Sequence, residues 1–217
     1  MSTYNTYNDN LENRIANTSE VFFDEAMKKT AINESISSIA QMYSLPELQY
    51  RTTIDIDANG EADVPADMMK MIRLWDESAT TGVATNKYEY IDPLSMDDTS
   101  PTSAYFWTID NAVGGTDRKI IVRPVVAKTL QIRYYKFPTE LSDSTDDSGL
   151  SPIWDEAVVA GAVYRVYENA GRYNEAMGYK EFFMTAVRRA WNYARNVGGV
   201  KENKKVKSIY SRKRLLG

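Results

Sequence analysis

Thr129–Gly161 reads TLQIRYYKF (129–137), PTELSDSTDDSGLSP (138–152) and IWDEAVVAG (153–161), and the passage from the first piece to the last decides the fold. Leu130, Ile132 and Tyr134 alternate with Gln131, Arg133 and Tyr135, the period of a strand with one buried face. Pro138 ends it. Ser151 then reads as an N-cap and Pro152 as the first helical residue, where a missing N–H costs nothing. Asp155 and Glu156 fall in the first turn, at the favourable end of the helix dipole. A β region therefore hands over to a helix through an acidic linker.

Working outward toward the C-terminus, residues 152–170 carry Ile153, Ala157, Val158, Gly161, Ala162, Tyr164 and Val166 at helical spacing. The run Ala160-Gly161-Ala162 would admit a second helix closely. Gly171 breaks the helix. A second one is predicted over 173–196, with Ala176, Met177, Phe183, Ala186, Val187, Ala190 and Trp191 on one face and Gly198-Gly199 beyond it. The two form an antiparallel hairpin.

Toward the N-terminus the period is two. Tyr50, Thr52, Ile54 and Ile56 alternate with Gln49, Arg51, Thr53 and Asp55, and Asp57-Ala-Asn59-Gly60 is a turn. Residues 64–75 read either as a helix starting at Pro65 or as a turn over 65–68 followed by a strand over 70–75. Strands on both sides favour the second reading. Further strands are predicted at 87–91, 104–109 and 119–122, with a hairpin turn at Gly114-Gly115 and a long loop over 92–103. Before the β region, Phe22, Phe23, Ala26, Met27, Ile32, Ile36, Ile39, Ala40 and Tyr43 recur at helical spacing, with a possible break at 30–33. Residues 1–10 read as a mobile terminus, followed by a short helix with Leu11 and Ile15 that Asp9 or Asn10 would cap.

These elements predict an α+β protein. Five or six strands at this spacing imply a small antiparallel sheet, a sandwich or an open barrel. The expected divisions are a helical region (1–48), the β region (49–140), the linker and hairpin (141–200) and a basic arm (201–217).

Composition narrows the function. The chain has neither cysteine nor histidine, which excludes disulfides, thiolate and His-based catalysis, and thiolate- or imidazole-ligated metals. No apolar run is long enough to span a membrane. The N-terminus lacks the basic and apolar parts of a secretory signal, so synthesis in the cytoplasm is expected. The 15 Tyr, 6 Phe and 4 Trp suit an interface, but equally an aromatic core.

Asp143, Asp146 and Asp147 suggest calcium, but placing Gly149 at the glycine position of an EF-hand loop leaves Ser144 at position 1 and Asp155 at position 12, a poor match. No phosphate-binding loop is present, and Asp97-Asp98 lies in a loop without an apolar surround. No cofactor or metal is expected. The last 17 residues carry seven Lys or Arg against Glu202, a net of +6. Since the whole chain is −4, residues 1–200 carry −10. Such a tail is a solvated extension, a non-specific phosphate binder, or an arm that orders on a partner. Lys204, Lys205, Lys207, Arg212, Lys213 and Arg214 supply its charge. Ile209, Tyr210, Leu215 and Leu216 are apolar anchors that favour the docking arm.

Four stretches together resemble the head–tail adaptor (connector, or head-completion) proteins of tailed bacteriophages. They are INESISSIAQMYSLPELQYRTTIDI (32–56), GEADVPADMMKMIRLWD (60–76), the long run from KIIVRP (119–124) to YRV (164–166), and AVRRAWNYAR (186–195). The resemblance spans residues 30–195 and rests on the order of the elements. It implies a helical bundle made from the N-terminal helices and the C-terminal hairpin, with a small antiparallel β region inserted into it, and a non-enzymatic subunit of the virion neck, typically in a ring of twelve copies below the portal. The implied partners are the portal protein, tail or other neck proteins, further copies of the chain, and double-stranded DNA passing through the lumen without sequence-specific binding. No membrane is implied. The arm over 201–217 would reach the portal. The alternative is a soluble nucleic-acid-binding protein acting through that tail.

Overall fold

The alternation seen at Thr129–Phe137 becomes a strand, Lys128–Lys136, that finds antiparallel partners on both sides. A computed structural model of the protein describes residues 2–15, 23–77, 84–93, 105–111, 118–125 and 127–197. Seven strands appear among them: β1 (Gln49–Ile56), β2 (Glu61–Asp63), β3 (Met68–Glu77), β4 (Ala84–Tyr90), β5 (Phe106–Asn111), β6 (Arg118–Arg123) and β7 (Lys128–Lys136). Their order is β1-β7-β3-β4-β5-β6-β2. The end strands β1 and β2 are consecutive in the chain and meet through the predicted turn, where Asp57 N donates to Glu61 O (2.9 Å) and Gly60 takes φ +82°. Val122 N of β6 donates to Gly60 O (2.8 Å), so the sheet curls into a nearly closed barrel. Register shifts in β3 supply curvature, as bulges do.

This corrects the expected fold class. The β part is not a small antiparallel insertion in a helical bundle. It is a seven-stranded, mixed, nearly closed barrel with its own core, which includes Ile54, Leu74, Trp107, Ile120, Leu130 and Ile132. Two physical features hid this. β2 has three residues, too few to show a period, and β4 and β5 run parallel, a pairing that local alternation cannot reveal. The turn-then-strand reading of 64–75 holds: Met68 N donates to Pro65 O (2.9 Å) and β3 follows. β5 and β6 pair antiparallel. The Gly114-Gly115 turn between them, and most of the 92–103 loop, lie outside the described residues.

Four helices form the other layer: α1 (Tyr4–Ile15), α2 (Glu25–Met42), α3 (Asp155–Asn169) and α4 (Tyr173–Val197). The central element is α3, packed against the other three. Ten of its fifteen residues are buried, and a helix apolar nearly all round belongs inside. Gly161 is why α2 and α4 come so close. A Cβ there would collide with the Ser35 hydroxyl and lie 2.9 Å from the Phe183 ring. Gly171, with φ +74°, turns the chain from α3 into α4 as expected.

Several local expectations change. The N-terminus is not loose: α1 begins at Tyr4, ahead of Asp9 and Asn10, and Tyr4 and Tyr7 are buried with Leu11 and Ile15. No break occurs at 30–33, because Ala31 and Ile32 are fully buried in one continuous helix. Residues 152–154 form a 3-10 turn, and Ser151 makes no side-chain cap; its carbonyl accepts from Trp154 N (3.0 Å). Met177, placed on the inner face of α4 by its spacing, is 61% exposed. Phe22 and Gly198-Gly199 lie outside the described residues.

Candidate functional site

Three surfaces stand out in the structure: the pinned acidic linker, the outer face of the barrel, and the exposed flank of α4. The linker connects β7 to α3 without regular structure, yet its backbone is firmly held. Asn33 of α2 clamps Leu141 from both sides, donating to its carbonyl (3.0 Å) and accepting from its N–H (2.9 Å). The Asp146 carboxylate accepts from Ser142 N (2.7 Å), Ser142 Oγ (2.8 Å) and Asp143 N (2.7 Å). Those backbone bonds hold its carboxyl below the usual range. Lys29 donates to the Ser142 carbonyl. Asp146 is therefore a loop-capping group, while Glu140, Asp143 and Asp147 remain exposed.

The far end of the linker is tied to the N-terminus. Tyr7 donates to Asp155 Oδ1 (3.0 Å) and shares a hydrogen bond with Ser148 (3.1 Å), and Ser2 donates to Asp155 Oδ2 (2.6 Å). Burial, with the neighbouring Asp155 carboxylate adding to it, pushes the Tyr7 hydroxyl well above its ordinary range. Asp155, expected as a helix-dipole residue, also anchors α1.

On the barrel, the polar alternates of three adjacent strands line up. Arg133 of β7 lies directly opposite Arg51 of β1 on one side and Arg73 of β3 on the other. Adjacent strands are about 4.8 Å apart, so three guanidinium stems share a narrow row. The next pair along the sheet places Trp75 beside Gln131. The Arg51 and Arg73 guanidiniums sit 5.2 and 5.3 Å from the Trp75 ring, which leaves that outward tryptophan only 6% exposed. Arg51 also donates to Gln131 Oε1 (3.2 Å) and pairs with Glu77. Lys70 and Lys87 extend the row on either side, with Glu89 exposed on the same outer surface. One strand pair further toward the linker, Tyr135 and Met69 pack against the helical core. The sequence marked Arg51 and Arg133 as polar alternates; their alignment needed the register.

On α4, Tyr173, Met177 and Met184 are exposed at spacings of four and seven residues, a stripe along one flank. The helix ends at Val197, ahead of the residues predicted to form an arm. Every residue predicted for that arm, from Lys204 to Leu215, lies outside the described residues.

Among the described residues no group of three or more His, Cys, Asp or Glu is placed to hold a metal ion, and no helix is long and apolar enough to cross a membrane. The SU10 adaptor protein family matches residues 5–201, nearly the whole chain, and the chain belongs to this family of phage head–tail adaptors. No curated protein matches it. It is thus a structural protein of the bacteriophage neck, working through other capsid, portal or tail proteins.

Proposed function

We propose that the chain is a ring-forming subunit below the portal, twelve copies in the usual arrangement, which extends the DNA channel and docks the tail. The observation that carries this reading is the family match across residues 5–201. The acidic body supports a lumen through which DNA slides without adhering, since like charges repel. We further propose that residues 201–217 form the portal-docking arm, with Lys204, Lys205, Lys207, Arg212, Lys213 and Arg214 as its charge and Ile209, Tyr210 and Leu215 as its anchors.

Co-purification with the portal protein tests the reading, and loss of residues 201–217 is expected to weaken the association by about tenfold or more. Unchanged binding would remove the arm from the account. The +6 tail also supports a second reading, non-specific nucleic-acid binding. That reading requires duplex affinity that falls steeply with salt and vanishes with the tail.

A further inference from the structure

We infer that the Arg51–Arg133–Arg73 row is the cationic half of a head-to-tail contact between two copies of this chain. Its acidic half is the linker of the neighbouring copy, with Glu140 and Asp143 at its centre. The inference rests on the ring reading above and deepens it by naming the two faces that meet.

The row is costly in isolation. Like charges directly opposite across strands destabilise a sheet. Among the described residues Arg51 has an acidic partner in Glu77, whereas Arg73 and Arg133 have none. Stacking on Trp75 nonetheless fixes two of the three guanidiniums. A fixed planar guanidinium loses little freedom when it meets a carboxylate and can bind it through two parallel hydrogen bonds. The face is therefore organised in advance for carboxylates.

The linker is organised in the same way. An irregular segment needs no such clamping merely to connect a strand to a helix. Here Asn33, Lys29 and Asp146 hold its backbone while Glu140 and Asp143 project from it, exposed. Both halves are rigid, opposite in charge, and carried by the same chain.

Charge also selects the symmetry. A two-fold contact through the barrel face would set arginine against arginine, so this face must meet a different one. Contacts between unlike faces propagate, and they close into rings when the rotation allows. The −10 body supplies acidic surface for the partner side, and the linker is a part of it whose backbone is clamped.

The test is a charge swap in the full chain. One variant is R73E/R133E, which leaves the Arg51–Glu77 pair in place; the other is E140K/D143K. Each is followed by sedimentation velocity and cross-linking up to millimolar protein at low salt. Thermal melts check folding, and Arg133→Glu alone serves as a milder variant. The wild-type chain is expected to self-associate, and each variant alone to lose about tenfold or more in self-affinity. An equimolar mixture should recover most of it, because both contacts in the mixed pair are again between opposite charges.

The inference is overturned if the wild type shows no self-contact, if the variants associate like wild type, or if the mixture stays dissociated. It is also overturned if duplex DNA, and not a second copy, perturbs the Trp75 indole resonance. Rescue by mixing alongside failed portal binding would leave the self-contact standing and remove the neck assignment. Portal binding with no rescue would remove the self-contact alone.

Discussion

The helical layer and the barrel use their polar groups in opposite ways. In the helical layer several of them are buried or partly buried and tie distant parts of the chain together. Ser35 donates to the Val158 carbonyl (2.9 Å), Asn33 clamps Leu141, and Tyr7 joins α1 to Ser148 and Asp155. In the barrel many of the polar contacts lie on the outside, among them Arg51–Glu77, Lys119–Asp63 and Thr129–Asp55 (2.6 Å). The lesson is a division of labour. Inward polar ties hold distant parts of the helical layer together, so cutting one costs stability. The outer face of the barrel can change its chemistry, and so its partner, with little effect on folding.

The largest expected break is in the helical layer. Trp154 is fully buried, and Trp154→Ala should cost about 3–5 kcal/mol in urea denaturation through the cavity it leaves. Gly161→Ala should follow at about 1–3 kcal/mol, because neither Ser35 nor the Phe183 ring can withdraw freely; a lowered melting temperature by calorimetry checks it. Tyr7→Phe leaves Asp155 and Ser148 without their shared partner and should cost about 1–2 kcal/mol by the same urea titration.

The barrel should respond more mildly. The hydrogen bond from Lys128 (2.7 Å) holds the Asp76 carboxyl below its ordinary range despite partial burial. A carboxyl depressed in the folded state contributes stability that is present above its unfolded pKa of about 4 and is lost as pH falls through the folded value. Below about pH 4 this contribution should fade, and Asp76→Asn should flatten the acid limb by no more than about 1 kcal/mol, given the pair's partial exposure. The smallest effect is predicted at Arg133→Gln, within about 0.5 kcal/mol of wild type in the same titration. A large loss there would erase the contrast between the two regions.

How much of this was legible differs by region. Helices α2, α3 and α4 were readable because their buried residues recur within a few positions, as at Ile32, Ile36 and Ile39. α1 was not, because a segment rich in Asn and Thr looks like a free terminus until Tyr4 and Tyr7 are seen in the core. Most strands were readable as segments, but barrel closure was not. Of the candidate contact surface, the acidic character of the linker was visible, while the clamp by Asn33, 108 residues away, was not.

The sequence by itself determined where the chain alternates, where it turns and what chemistry it lacks. Proline and glycine positions, apolar spacing and the absence of Cys and His act locally or by composition. Tertiary structure alone decided that seven strands curl into a nearly closed barrel and that three arginines from distant strands stand in one row. It also decided that the 138–152 linker is a fixed surface and not a loose tether. Each depends on pairing residues far apart in the chain, and a one-residue change of register would turn every strand side chain to the opposite face.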